Sequence, residues 1–313
     1  MRTKRRVVAA KIEATLGTAE ILTASDAGVL AIDPIVDVDI AMHERNPARA
    51  SLGRLASLPG SQMAKITFAL EIKGAGQAYS ASVKPALATY LRACGFTETI
   101  DTSVGAEKAT YDPASTGIPS LTIGCYEDGV IKSIKGAKGT VKVVANIDEP
   151  VRLEFEFTGV WNGITDGAML TPVYESTVPP VFLNASFTIA SYSALISSLE
   201  LDIGNEVTLR QDINNATGYK SALIAGRHVT GSMNPEMTTV ADMDWFGRWK
   251  AGTSGALSVG NIGSTQYNRF KITAPRIMAT KVSDEDKEGQ AVAGHTFDAG
   301  EDTGDDEVRI EFS

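Results

Sequence analysis

Strict alternation of apolar and polar residues is the feature that most limits what this chain can fold into. In the segment 65–73, Ile66, Phe68, Leu70 and Ile72 point one way, and the residues between them are mostly polar. The same alternation recurs at 151–158, 199–203 and 308–312. A period of two is typical of antiparallel strands with one buried and one solvated face. The sequence therefore predicts a mainly β protein.

Glycine-containing turns join these strands into hairpins. We interpret the segment 124–144 as three short strands with turns at Asp128–Gly129 and at Gly136–Gly139. Glycine is favoured at such turns because they require a positive φ.

Helical periodicity is clear in only two segments. In the first, 83–94, we expect Ser82 to cap the helix and Gly95 to end it. Its predicted apolar stripe consists of Val83, Leu87, Tyr90, Leu91 and Cys94.

The second predicted helix, 240–251, follows Thr239 and is stopped by Gly252. Asp242 and Asp244 lie near the positive end of its dipole. Its predicted apolar stripe consists of Val240, Met243, Phe246 and Trp249. We interpret Trp245 and Trp249 as core anchors.

The order of these elements suggests an internal duplication. Each half has strands, then one helix, then further strands, although the two halves share little sequence identity. The segment 172–180 contains three prolines and is the natural place for a boundary. We predict two tandem β-sandwich or barrel domains, 1–178 and 179–313, each with one flanking α-helix.

Charge is distributed unevenly along the chain, whose formal net charge is −9. Residues 281–313 carry eleven acidic side chains against Lys281, Lys287 and Arg309, a net charge of −8. The first six residues carry four basic side chains and no acidic one. A basic start and an acidic end suggest that copies attract one another end to end. Two solvated termini without a partner are the alternative.

Known catalytic and metal-binding motifs are missing from the sequence. The three histidines lie far apart, and no nucleophile elbow or phosphate loop occurs. The acidic segment from Asp298 lacks the EF-hand spacing, although a looser ion site stays open. We expect no enzymatic activity, no metal and no cofactor.

Other function classes are limited by composition. The net negative charge disfavours sustained binding of nucleic acid, and no apolar run reaches the length of a membrane span. The apolar stretch 7–10 is too short for an export signal, which predicts a chain kept in the cytoplasm. Cys94 and Cys125 have no C-x-x-C partner, and we expect both to be reduced core thiols.

An ordered set of motifs gives a family resemblance. The chain contains, in this order, LRACGF, TYDPAS, SLTIGCYEDGVIKSIKGAKGTVKVV, LEFEFTG, VFLNASFTI, LISSLELDIGNEVTLR, GSMNPEM, DWFGRW and KITAPRIMATKVSD. Together they resemble the tail tube (major tail) proteins of long-tailed bacteriophages, of the larger duplicated kind. The similarity runs from residue 10 to the end of the chain.

The resemblance implies a structural virion protein assembled in the host cytoplasm. Copies would close into rings through their inner strands, and stacked rings would form a hollow tail tube for the passage of double-stranded DNA. A ring of three chains with pseudo-sixfold symmetry is favoured, and a ring of six is the alternative. Implied partners are further copies of the chain and the tape measure, tail terminator and distal tail proteins, with no membrane. A distal-tail or host-binding module, and lastly an enzyme, are the rival functions.

Candidate assembly residues follow from this interpretation. We expect the segments 66–72 and 121–135 to form the inner sheet, and the bore to be acidic or neutral so that DNA slides. The candidates for the lumen are Lys65, Thr67, Glu71, Lys73, Thr122, Lys132 and Lys135. The candidates for ring stacking are Arg2, Lys4, Arg5, Arg6, Asp284, Asp286, Asp302, Asp305 and Asp306.

Overall fold

A computed structural model of the chain describes residues 4–313, and strands dominate it. The strands are β1 Arg6–Ile12, β2 Ile32–His43, β3 Leu58–Glu71, β4 Phe96–Asp101, β5 Lys108–Pro113, β6 Leu121–Glu127, β7 Val130–Asn146, β8 Arg152–Asp166, β9 Thr188–Ile189, β10 Ser198–Asp202, β11 Asn205–Gln211, β12 Tyr219–Arg227, β13 Thr230–Met233, β14 Gly255–Ile262, β15 Phe270–Lys287, β16 Gln290–Gly300 and β17 Arg309–Phe312. The α-helices are α1 Ala88–Ala93 and α2 Trp245–Ala251. The predicted mainly β fold is confirmed.

Fifteen strands belong to one antiparallel sheet, whose central run has the order β2-β3-β8-β7-β10-β13-β16-β15. The path continues through β17, β5 and β4, and β11 and β12 form a separate hairpin. The two halves of the central run repeat one another. Each half has an antiparallel pair, β2–β3 or β10–β13, and then a long hairpin in reversed order, with β6 flanking β7 and β14 flanking β15. The ladder between β7 and β10 joins the halves into one sheet.

The core lies on one face of the central run, because alternate residues of every strand point there. Phe68, Phe155 and Phe157 stack on β3 and β8, with ring centroids 5.6 to 5.9 Å apart. Tyr90 of α1 meets Phe68 edge-on at 5.2 Å, which packs the helix onto this face. Cys94 and Cys125 are buried and unbridged, as expected.

The helix α1 is shorter than predicted. It begins at Ala88 instead of residue 83, because Ser80 and Val83 close a separate turn in which the Val83 N–H donates to Ser80 Oγ. Of the predicted stripe, Leu87, Tyr90, Leu91 and Cys94 are buried, whereas Val83 is half-buried and lies before the helix. The predicted cap at Ser82 is wrong, because Leu87 precedes the first helical residue.

The helix α2 also begins late, at Trp245, because the side chain of Asp244 caps it by accepting a hydrogen bond from Gly247 N at 2.7 Å. Gly252 ends it in the left-handed conformation, as expected. Of the predicted stripe, Met243 is buried, but Val240 is 73% exposed, and Phe246 and Trp249 lie partly in solvent. Trp245 is a core anchor and Trp249 is not.

The segment 124–144 forms two strands and one turn. The turn at Asp128–Gly129 is confirmed, but the predicted turn at Gly136–Gly139 is wrong because β7 runs through it with a bulge. Gly136 takes a φ of +57° in this bulge. A Cβ on Gly139 would lie 2.5 Å from the Glu156 carbonyl oxygen, so this glycine permits close pairing of β7 with β8.

No helix in the described part of the chain has the length and apolar character to cross a bilayer.

Candidate assembly surfaces

The face of the central run opposite the core is lined by polar side chains, and we call it the polar face. Strand pairing places Lys65, Thr67 and Glu71 of β3 in rows with β8, where Lys65 Nζ lies 2.6 Å from Glu156 Oε1. The acidic residues of this face are Asp37, Glu71, Glu154, Glu156, Glu200, Asp202 and Asp298. The basic residues are Lys65, Lys138, Lys142, Arg152 and Lys281. The face is therefore slightly acidic and its charges alternate in sign.

Ion pairs on the polar face cross between neighbouring strands. Lys142 Nζ on β7 lies 2.8 Å from Glu200 Oε2 on β10, across the ladder that joins the halves. The hydrogen bond that Lys142 donates to Glu200 raises the pKa of Lys142, so this ammonium group keeps its charge. Lys65 and Lys142, being paired, are less available to a passing phosphate backbone than unpaired cations would be.

The other candidates for the lumen lie elsewhere. Lys73 donates to the carbonyl oxygens of Glu175 and Thr177. Thr122 is buried and donates to Glu13. Lys132 pairs with Glu127 at 2.7 Å, and Lys135 lies on the first half of β7. The structure thus groups Lys65, Thr67 and Glu71 with residues of β7, β8 and β10, and the role of all seven candidates stays a prediction.

Both ends of the central run are open sheet edges. Among the described residues, β2 pairs with β3 alone, so its outer edge has no ladder partner. On β15, Ile277 pairs with β14 on one side and β16 on the other. Beyond that residue, only the β16 side of β15 is paired in the described chain, which leaves the edge from residue 281 to 287 open. Unpaired backbone groups at an edge are a template for another strand.

Apolar side chains accompany the open edge of β2. Val38, Ile40 and Met42 alternate along it and are 38%, 39% and 58% exposed. Leu58, across the hairpin on β3, is 51% exposed. We call these four residues the apolar strip. A contiguous exposed apolar surface of this kind marks an interaction site.

The candidates for ring stacking are largely engaged within the chain. Arg5 Nη1 lies 2.8 Å from Asp128 Oδ1. Arg6 donates to the Pro34 carbonyl oxygen at 2.8 Å. Lys4 is exposed, and Arg2 lies outside the described residues.

The acidic candidates also have partners of their own chain. Asp305 accepts hydrogen bonds from Ser115 and Arg227, which lower its pKa. Asp306 accepts a hydrogen bond from the Thr303 hydroxyl in its own loop, and this bond lowers the pKa of Asp306. Asp284 and Asp286 lie near the tip of the β15–β16 hairpin, and Asp302 lies in the exposed loop before Asp306. Their role in stacking stays a prediction.

Charged side chains converge at a cavity of about 400 Å³ on the polar face, which is lined, among others, by Lys142, Arg152, Glu154, Glu156 and Asp202. A cavity of about 620 Å³ between residues 177–184 and 261–268 has only uncharged lining residues. His295 is buried between Trp245 and Phe297, and this burial lowers its pKa to about 4. Residues 4–313 contain no group of three or more candidate metal ligands.

A comparison with protein family models gives a match over nearly the whole chain. The family model described as phage tail tube protein matches residues 3–313. The chain belongs to the phage tail tube protein family. A search of curated proteins gives no match. As a member of this family, the chain is a structural component of the virion tail that self-assembles into a tube.

Proposed function

We propose that three copies of the chain close into a ring with pseudo-sixfold symmetry, and that stacked rings form a tube through which double-stranded DNA reaches the host. The observation that carries this proposal is the pair of open edges at the two ends of a duplicated central run. Joining the edge of β15 to the edge of β2 on a neighbouring copy continues the sheet without a break. A closed ring then leaves no edge.

The bore of such a ring is wide enough for a DNA duplex. The central run has eight strands, so three chains supply about 24 strands. A spacing of about 4.8 Å and a tilt of about 40° give a backbone diameter of about 50 Å. Side chains reaching inward by about 5 Å leave a bore of about 40 Å, which admits a DNA duplex.

The polar face is the side that we assign to the bore. Its opposite face carries the core. The β11–β12 hairpin covers part of the polar face beside Lys65, Thr140 and Glu156, and we assign the remainder of this face to the lumen. Its slight acidic excess and its paired cations favour sliding of DNA over binding. Lys65, Thr67 and Glu71 belong to this proposed lining, whereas Lys73, Thr122 and Lys132 point to other partners.

The division of the chain supports the same ring. We assign residues 1–178 and 179–313 to two duplicated tube domains, supported by the repeated strand order. Six equivalent units then surround the axis although only three chains are present. Assembly takes place in the host cytoplasm, with the tape measure, tail terminator and distal tail proteins as partners.

Electron microscopy of the purified protein tests this function. Hollow tubes with sixfold class averages and a repeating unit of two domains are expected. Single rings would favour a distal-tail or host-binding role. Dispersed particles at high concentration, with the β2 and β15 edges covered within one molecule, would refute tube formation.

A further inference from the structure

The ladder between β7 and β10 shows how one tube unit attaches to the next. Residues 142–146 of β7 pair antiparallel with residues 198–202 of β10, with Val144 opposite Glu200 and Lys142 opposite Asp202. This junction lies within one chain, but it joins two halves with the same strand order. It is therefore a template for a junction between chains.

The two halves can be superposed residue by residue through their ladders. On the polar face, Lys65 of β3 pairs with Glu156 of β8 at 2.6 Å. In the second half, His228 lies beside β13 and contacts Asp298 of β16 at 3.4 Å. On the core face, Phe155 corresponds to Phe297. A side-chain contact with an acidic residue and an aromatic residue thus mark the same register in both halves.

This register transfers the internal junction to the open edges. Row by row across the sheet, Val144 of β7 corresponds to Ser283 of β15, and Glu200 of β10 corresponds to Ile32 of β2. We propose that β15 pairs antiparallel with β2 of a neighbouring copy, with Ser283 opposite Ile32 and Lys281 opposite Ile35. The inference rests on the proposed ring and adds its register.

The hairpin beyond the junction supports the same partner. Asn205, the first residue of β11, donates from its backbone N to Thr140 Oγ1 and from its side chain to the Gly139 carbonyl oxygen. Val207 and Leu209 follow it and lie half-buried against β7 and β8. The β11–β12 hairpin of the second half thereby lies across the first half.

The apolar strip occupies the corresponding positions of the first half. Val38 corresponds to Asn205, and Met278, which pairs with Asp298 as Thr140 pairs with Glu156, corresponds to Thr140. Val38 is 38% exposed and Met278 is 42% exposed. Val38 pairs with Ala64 on the core side of the sheet, whereas Met278 pairs with Asp298 on the polar face. The two exposed side chains therefore lie on opposite sides of the proposed junction and do not reproduce the polar contact of Asn205.

Paired cysteines test the register in the full chain. Oxidation of assembled Ile32→Cys/Ser283→Cys protein is expected to link copies covalently, because these two positions lie at opposite ends of the central run within one chain. Bands of two and three chains, with none above three, are expected on a non-reducing gel. The native thiols are buried, and each single-cysteine variant gives the background.

Matched variants keep the test decisive. Asp37→Cys/Ser283→Cys shifts one partner by five residues, about 17 Å along β2, and is expected to stay unlinked. If the protein with the first cysteine pair does not assemble, Ile35→Cys/Lys281→Cys tests the same register at the next pair of opposed residues. Tubes that link only through the shifted pair, or through none of the pairs, would overturn the register and leave the tube function standing. A wild-type protein that forms no tubes would overturn the function and the register together.

Discussion

The buried carboxylate of Glu13 provides the sharpest test of how the first half is held together. Its two oxygens accept hydrogen bonds from four donors: Gly17 N at 2.8 Å, Gly136 N at 2.7 Å, Ser120 Oγ at 2.6 Å and Thr122 Oγ1 at 3.0 Å. The carboxylate thus joins the end of β1 to β6 and to the bulge of β7. The bulge in turn lies against Ser221 of the β11–β12 hairpin.

The expected loss in Glu13→Ala follows from these donors. The two hydroxyl groups can rotate towards other acceptors, but the backbone N–H groups of Gly17 and Gly136 cannot. A buried donor without a partner costs about 1–3 kcal/mol, so the free energy of unfolding should fall by about 4 kcal/mol. Glu13→Gln keeps one acceptor oxygen and should cost about half as much.

Urea unfolding of the unassembled chain, followed by tryptophan fluorescence, measures this loss. A loss of 4 kcal/mol lowers the midpoint by about 1–2 M urea at an unchanged slope. Glu44→Ala is the control, because the Glu44 side chain is 66% exposed and its contact with Arg54 is 3.9 Å long. If Glu13→Ala unfolds at the same urea concentration as the control, Glu13 does not hold these segments together.

Three further outcomes are expected. Burial, aided by Arg248, lowers the pKa of His295 to about 4, so the unfolded chain binds the proton more tightly than the folded chain. The free energy of unfolding should therefore fall by about 3 kcal/mol from pH 6.5 to pH 4, and urea titrations across this range should show no such fall in His295→Leu. Arg227→Ala leaves Asp305 and Glu307 without their guanidinium partner, and thermal unfolding should show a loss of about 3 kcal/mol in the free energy of unfolding. Arg309 is more exposed, so Arg309→Ala should lose under about 1 kcal/mol, and equal losses in the two variants would contradict this reasoning. Ile40→Asp should leave the monomer folded by circular dichroism but reduce the tube yield in sedimentation by at least about tenfold; normal yields would remove the apolar strip from the interface.

The strands were largely predictable from sequence because alternation is a local signal. The segment 65–73 lies on β3, apart from its last two residues, since each residue faces either the core or solvent along one strand. The ends of elements were less predictable. Helix α2 begins at Trp245 because Asp244 captures the Gly247 N–H, whereas Thr239, an equally good cap by residue type, closes a turn with Asp242 instead.

The candidate surfaces were predictable only where one strand sufficed. Lys65, Thr67 and Glu71 alternate on β3 and do share the polar face. Thr122 has the same local pattern, but Glu13, more than a hundred residues away, accepts its hydrogen bond and buries it. The open edges of β2 and β15 depend on which strands pair across the whole chain, and no local pattern carries that information.

Open sheet edges expose a free subunit to uncontrolled strand pairing and aggregation, and features of both edges in this chain oppose such pairing. On β2, Pro34 lacks an N–H donor, and Asp37 and Asp39 place charge along the edge. On β15, Lys281 and Asp284 place charge along the edge. Duplication reduces the risk further. In the proposed ring, three of six junctions form within a chain, where Asn205 fixes the geometry before any copy is met. The other three junctions form between copies, where the exposed apolar strip is the surface offered to the neighbour.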